Sequence, residues 1–333
     1  MKSKLLIRSL YVAVLVLCAL ATAGIGLLLE SKQFVFNQVE ENSVAEIESG
    51  PFPVSVDPAT KTIDKVDLLQ SHGSDSFAYV NASSGWKAKI AGLFSHKGWY
   101  QNLASPISRI LVISPGERKE EVTKNFGDIL GWNTTERMTF QDAISDAEPL
   151  LVDGKFYPGQ YVAHRGATPE EVALMVQEKF ESDIGSRYTA EVEAKVPLKD
   201  ALIVASLLER EASDFENMRE VSGVIWNRIF NDMPLQLDAT LQYVKGGRAS
   251  EKKWWPVPKP ADKYLKSPYN TYANKGLPPA PIANPSSAAV LAALNPIATE
   301  CVFYFHDNRH QYHCSKTYEE HVRKLKAIFG QGK

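Results

Sequence analysis

Glu211 closes the segment Ala201-Leu202-Ile203-Val204-Ala205-Ser206-Leu207-Leu208-Glu209-Arg210-Glu211, whose apolar run is too hydrophobic for a surface helix and too short to span a bilayer. At about 100° per residue its side chain falls within about 60° of Val204, Leu207 and Leu208 and extends their stripe, whereas Glu209 lies about 200° round the helix. A carboxyl group on an apolar face loses hydration, which disfavours the anion and raises the pKa. A carboxylic acid that keeps its proton near neutral pH is what general acid catalysis requires. The alternative is a structural carboxylate that caps or pairs within the bend, with Arg210 or Arg219 as partner.

Residues able to hold a polar substrate follow. In Leu235-Gln236-Leu237-Asp238-Ala239-Thr240 apolar and polar residues alternate, so an extended chain would present Gln236, Asp238 and Thr240 on one face. Tyr269-Asn270-Thr271-Tyr272 combines hydroxyls, an amide and aromatic faces, equipment for stacking on sugar rings and holding their hydroxyls; packed loop aromatics are the plainer reading. Gly276-Leu277-Pro278-Pro279-Ala280-Pro281-Ile282 is a rigid turn. His306, His310 and His313 stand close together with Asp307, at a spacing that on a helix would suit zinc. Their surroundings read instead as a hairpin, Val302-Phe303-Tyr304-Phe305 against Gln311-Tyr312-His313, which would point the three rings in different directions. With a two-residue turn at Asp307-Asn308, Cys301 and Cys314 face each other and could bridge; a loop one residue different leaves two free thiols.

A framework must position these groups. Ser213-Asp214-Phe215-Glu216 has the form of a capping box ahead of Met218, Val221, Ile225 and Ile229 at helical spacing, so two helices form a hairpin with Glu211 near the bend. Residues 251–300 hold 9 of the 19 prolines, which excludes long helices and implies an ordered loop wall along a cleft. Asn284-Pro285 reads as cap and first residue of a helix running to Leu294. Upstream, Arg109-Ile110-Leu111-Val112-Ile113 reads as a buried strand, residues 117–130 and 139–147 as helices, and Thr168-Pro169-Glu170-Glu171 as the capped start of a helix reaching about 182. No motif is assignable in residues 31–108.

Residues 10–29 carry no charge and are long enough to cross a hydrocarbon core of ~30 Å. Lys2, Lys4 and Arg8 on the short flank place the N-terminus in the cytoplasm and the bulk of the chain outside. A signal peptide cleaved at Ala21-Thr22-Ala23 is the alternative, while bulky Leu17 argues against lipid attachment at Cys18. The net charge of −2, with all of the first 29 residues' charge positive, leaves the remainder acidic and offers no field for nucleic acid. At 44% hydrophobic and 23% charged, the composition excludes both a disordered chain and a multi-span membrane protein.

Taken in order, Ala205-Ser206-Leu207-Leu208-Glu209-Arg210-Glu211-Ala212, Val224-Ile225-Trp226-Asn227-Arg228, Leu235-Gln236-Leu237-Asp238, Tyr269-Asn270-Thr271-Tyr272 and the turn 276–282 resemble the endolytic murein transglycosylase family, bacterial enzymes anchored in the cytoplasmic membrane that cut nascent peptidoglycan strands. The resemblance is specific over about 203–318 and fainter over 109–187, where Gly154-Lys155-Phe156-Tyr157-Pro158-Gly159-Gln160-Tyr161 matches a Gly-x-x-x-Pro-x-x-Tyr segment. It implies an α+β fold: an N-terminal transmembrane helix, a poorly assigned α/β region, then a lytic-transglycosylase-like catalytic domain with a helical hairpin and a β-hairpin. The corresponding divisions are a cytoplasmic tail (1–8), an anchor (9–29), an extracytoplasmic region of unknown fold (30–108) and the catalytic region (109–330).

In that family the second glutamate of Glu-x-Glu is catalytic, which falls on Glu211. The resemblance implies that this acid protonates the oxygen between N-acetylmuramic acid and N-acetylglucosamine. Its conjugate base then takes the C6 hydroxyl proton as a 1,6-anhydro ring closes, so one carboxylate does what glycoside hydrolysis usually divides between two. Gln236, Asp238, Asn270 and Tyr272 are then the candidate substrate-binding residues, with no cofactor or metal required. The expected partners are peptidoglycan glycan strands, the cytoplasmic membrane and, as an open candidate, the cell-wall synthesis machinery. Two departures stand out. The LysM-like wall-binding module that members often carry has no visible pattern in 31–108, and Lys252-Lys253-Trp254-Trp255-Pro256 is unfamiliar beside the family. The competing classes are a membrane-anchored wall-binding scaffold without turnover and a metal-dependent hydrolase using His306, His310 and His313.

Overall fold

The computed structural model describes residues 16–28, 30, 50–65, 107–145, 153–248, 251 and 253–330. In chain order the elements are β1 (Val56–Asp57), β2 (Thr62–Ile63), β3 (Ser108–Ile113), α1 (Lys119–Leu130), α2 (Thr134–Ser145), β4 (Gly159–His164), α3 (Pro169–Asp183), α4 (Ala190–Lys195), α5 (Leu198–Glu211), α6 (Phe215–Phe230), α7 (Asp238–Gly246), α8 (Ser287–Leu294), β5 (Phe303–His306), β6 (Tyr312–Ser315) and α9 (Tyr318–Phe329). The strands pair as three two-stranded antiparallel ribbons, β1 with β2, β3 with β4 and β5 with β6.

The β3–β4 ribbon runs from Ser108 opposite His164 to Ile113 opposite Gly159. Such a ribbon is marginal alone in water, and here α1, α2 and α3 cover it, closing a core of Leu111, Ile113, Phe126, Phe140, Phe156 and Val176. Helix α3 starts as its sequence dictates: the Thr168 hydroxyl accepts the Glu171 N–H, the Glu171 carboxylate accepts the Thr168 N–H, and Pro169 occupies the first turn. Helix α2 starts at Thr134 rather than 139. Asn133 and Glu136 each accept the other's backbone N–H, a reciprocal cap that the apolar periodicity alone does not reveal.

Helix α5 runs through a second core, with every residue from Ala201 to Leu208 buried, and packs on α6 and α8. The cap of α6 is Asp214, whose carboxylate accepts the Asn217 N–H, so the box expected from Ser213 to Glu216 does not form. Helix α8 likewise starts after Ser286, which accepts the Ala289 N–H, and not at Asn284-Pro285. Asn284 is fully buried and joins the two cores. Its backbone and side-chain N–H groups donate to the Glu117 carbonyl, its carbonyl accepts from Gly116, and its side-chain oxygen accepts the Phe156 N–H.

Between α7 and α8 the only regular element among the described residues is a 3₁₀ turn, Pro260–Tyr264, as the prolines require. Cys301 and Cys314 form a disulfide, Cα to Cα 5.8 Å, although the expected hairpin register is wrong. Tyr304 faces Cys314 and Phe303 faces Ser315, because residues 307–311 form a longer loop in which the Asp307 carboxylate accepts the N–H groups of Arg309 and Gln311. Residues 16–28 are helical, while 10–15 and 29 of the expected span lie outside the described residues; among those described, no helix is long and apolar enough to cross a membrane. Most of the unassigned region 30–108 also lies outside them.

Candidate active site

Glu211 is the last residue of α5, and two further elements converge on its carboxyl group. The Tyr304 hydroxyl on β5 donates to Oε2 at 2.9 Å, and the Ala239 N–H, in the first turn of α7, donates to the same carboxylate. One side of Glu211 is open to solvent, while the protein packed around it strips away most of its hydration. Burial therefore pushes its pKa up to about 7, helped by the neighbouring Asp238 charge and opposed by the Tyr304 and Ala239 hydrogen bonds and by Arg210. The result is an acid that holds its proton near neutrality and whose anion, once formed, meets two donors and a helix N-terminus.

The segment Val224 to Arg228 aims these elements. Trp226 donates its indole N–H to the Ala293 carbonyl on α8, and Asn227 donates to the carbonyls of Thr299 and Cys301 on the approach to β5. Arg228, buried between them, donates Nε to the Val302 carbonyl at 2.6 Å and Nη1 to the Leu235 carbonyl at 2.5 Å. One guanidinium thus fixes both the strand that carries Tyr304 and the chain that leads into α7.

The extended face expected for residues 235–240 does not form, since Gln236 adopts a left-handed backbone and the chain turns into helix after Leu237. There α7 begins, and the Thr240 hydroxyl turns inward to donate to the Leu237 carbonyl and pair with the Thr271 hydroxyl at 2.9 Å. Asp238 and Tyr272 do come together beside Glu211: the Tyr272 hydroxyl donates to Asp238 Oδ1 at 2.8 Å, and the Glu211 charge helps hold the Tyr272 phenol well above its ordinary range, after burial and Asp238. Gln236 is exposed two residues before Asp238 with φ of 53°, its N–H donating to the Thr271 carbonyl. Asn270 is a correction. It is fully buried, and its amide donates to the Lys263 and Leu265 carbonyls while its side-chain oxygen accepts the Tyr272 N–H, so it shapes the loop and leaves nothing for a substrate.

Glu209, on the opposite face of α5, is half-buried. Its Oε1 accepts the Ser286 N–H and hydroxyl, tying α5 to the start of α8. Trp255, from the unfamiliar segment, lies 4.0 Å from the Arg210 guanidinium and donates its indole N–H to Glu121, so this stretch packs between the end of α5 and α1. His306 pairs with the Asn217 side chain and His313 with Asp307, and among the described residues no three His, Cys, Asp or Glu side chains are arranged to hold a metal ion. Tyr304 and Arg228 are the residues that sequence reasoning missed. Arg228 stood within a recognised motif without a role, and nothing local marks Tyr304.

The sequence profile described as the YceG-like family matches residues 36–327. A protein of Bacillus subtilis named endolytic murein transglycosylase is 30% identical over 171 residues, 51% of this chain and 46% of that protein. One of the same name from Streptococcus pneumoniae is 25% identical over 175 residues, 52% of this chain and 32% of its own length. The chain therefore spans less than half the length of either curated relative it matches. The crystal structure of a YceG-like protein from Listeria monocytogenes superposes with a TM-score of 0.57 at 25% identity, covering 65% of this chain and 76% of that one.

Proposed function

The chain belongs to the YceG-like family, and from that premise we propose that it is an endolytic murein transglycosylase with Glu211 as its acid and base. The Glu211 proton passes to the oxygen bridging N-acetylmuramic acid to N-acetylglucosamine, and the bond from that oxygen to the muramic C1 breaks. The C6 hydroxyl of the same muramic residue closes on C1, and its proton returns to the Glu211 carboxylate, so acid and products balance without water. Proton transfer of this kind contributes roughly 10²–10⁴ in rate. Asp238, Tyr272 and exposed Gln236 line the approach and orient the sugar ring.

The observation that carries this reading is the pairing of a raised pKa with two donors on the same carboxyl: one favours the acid before transfer and the other steadies the anion after it. Asp238 beside Glu211 supplies a second carboxylate, which favours hydrolysis as the competing outcome. Digestion of purified peptidoglycan followed by mass spectrometry separates the two. Fragments ending in 1,6-anhydro-N-acetylmuramic acid support lytic cleavage, fragments with only reducing ends mean hydrolysis, and no cleavage leaves a wall-binding scaffold.

Within the same proposal residues 9–29 anchor the protein in the cytoplasmic membrane as a single span, with the catalytic region outside the cytoplasm near nascent glycan strands and the machinery that makes them. The uncharged run, its basic flank and a disulfide suited to an oxidising compartment support this placement. Membrane fractionation with N-terminal sequencing tests it: an intact anchor in the membrane fraction is expected, and a mature chain beginning near Gly24 would establish signal-peptide cleavage instead.

A further inference from the structure

Tyr304 reaches Glu211 from a short two-stranded ribbon. Strand β5 is four residues long, and β6 is its sole strand partner among the described residues. The ribbon is tied to the helical body by the Arg228 bond to the Val302 carbonyl, the Asn227 bond to the Cys301 carbonyl at 3.0 Å, the His306 contact with Asn217 at 3.0 Å and the Tyr312 hydroxyl's bond to the Glu220 carbonyl, while Phe303 and Phe305 pack on Tyr318, His321 and Phe329 of α9. The disulfide is placed across the residue that matters. Cys314 is the cross-strand partner of Tyr304, and its sulfur is joined to Cys301, three residues ahead of Tyr304 in the chain. The bridge therefore closes a loop around Tyr304 and pins both strands where its hydroxyl leaves the ribbon for Glu211. The ring itself rests on Tyr312, at 6.1 Å and nearly parallel, so sliding of β6 would carry Tyr304 with it.

Building on Glu211 as the reacting acid, we propose that Tyr304 is a positioning residue for the Glu211 carboxyl and that the Cys301–Cys314 disulfide holds it in place. A phenol O–H donates more strongly to a carboxylate than to a carboxylic acid, so a held Tyr304 favours the anion and a loosened one favours the acid. The other charged or titratable groups that face Glu211 are Asp238 on α7, Tyr272 on the loop and Arg210 on α5, with Arg228 of α6 close to the Tyr304 hydroxyl. Asp238, Tyr272 and Arg210 lie outside the bridged ribbon, whereas Arg228 is bonded to it at the Val302 carbonyl, so the combination with Tyr304→Phe is what isolates the contribution of Tyr304.

The test uses the full chain as wild type, Tyr304→Phe, the pair Cys301→Ala with Cys314→Ala, and the combination of all three. Glu211 is titrated by carbon-13 NMR of labelled glutamate carboxyls, its resonance assigned by loss in Glu211→Gln, and the pH profile of glycan cleavage is recorded alongside. Tyr304→Phe should move the Glu211 titration upward by about 1 unit, and the alkaline limb of the cleavage profile should move with it. The cysteine pair should move both in the same direction by a smaller amount and add nothing in the Tyr304→Phe background. A titration unchanged by Tyr304→Phe overturns the role of Tyr304; one unchanged by the cysteine pair, or shifted further by it in the Tyr304→Phe background, overturns the role of the bridge. If the cysteine variant does not fold, wild type in excess dithiothreitol takes its place, the dithiol giving two electrons and two protons to the bridge, and the same outcomes apply. The titration needs no turnover, so a wild type that cuts no glycan counts against the proposed function while the positioning of Glu211 is still decided.

Discussion

Replacing Glu211 by Gln separates the side chain's proton from its shape and gives a stability signature that requires no substrate. In the unfolded chain the carboxyl has its ordinary value of 4.5, and in the native protein it is pushed up to about 7. The sign follows from linkage. Below pH 4.5 both states are protonated and the wild type suffers no penalty; between 4.5 and 7 the unfolded chain ionises while the native carboxyl keeps its proton, so stability falls as pH rises. A shift of that size corresponds to about 3 kcal/mol lost by the wild type above pH 7. Glu211→Gln cannot ionise and escapes the loss. Its amide oxygen still accepts from Tyr304, so near pH 4.5 the variant should match the wild type within ~1 kcal/mol, and by pH 8 it should be more stable by about 3 kcal/mol. Urea unfolding of both proteins at pH 4.5 and 8 measures the difference, and glycan digestion on the same samples should show turnover abolished. A stability difference that stays flat from pH 4.5 to 8 would refute the claim that burial keeps this carboxyl protonated. Normal cleavage by the folded variant would refute its role as the acid.

Glu209→Gln should fall on the other side of that comparison: both Ser286 bonds end on Oε1, a place the amide oxygen can take, so unfolding should show a loss of no more than about 1 kcal/mol and cleavage per folded molecule should stay within a few-fold of wild type. Asn284→Ala removes a buried donor and acceptor that join the two cores, leaving the Phe156 N–H without a partner, and should cost about 2–3 kcal/mol in urea unfolding. Gly246→Ala sets a methyl group against the Trp254 carbonyl, and should destabilise by about 1–3 kcal/mol with a change in tryptophan fluorescence as the Trp254-Trp255 wall shifts.

Much of the framework was legible in the residues because the signals that mark it are local. Thr168-Pro169 with Glu171 starts α3 by satisfying its own end, and the run from Ala201 to Leu208 had to be buried whatever surrounded it. Several boundaries were not legible, since two nearby residues could each cap and the outcome depended on what else claimed them: Asn284 could have capped α8 but was taken by Glu117 and Phe156, leaving Ser286 to do it. Asn270 looked like substrate equipment from its type and neighbours, yet its amide faces carbonyls of its own loop. Gly154 within its Pro–Tyr segment could be noticed but not explained until Pro281 and Leu202 were found against it.

The sequence by itself set Glu211 on the apolar stripe at the end of α5, because helical phase is a property of one segment, but did not reveal that Glu209 on the other face also loses hydration against Ser286. It also supplied the two cysteines and the aromatic hairpin. Only the tertiary structure decided what that carboxyl meets: Tyr304 lies 93 positions away in the chain, and the Ala239 N–H points at Glu211 because Arg228 grips the chain leading into α7. Proton affinity is set by burial, charge and donors within a few ångströms, and those neighbours come from three elements brought together by packing, a relation that no periodicity within a single segment encodes.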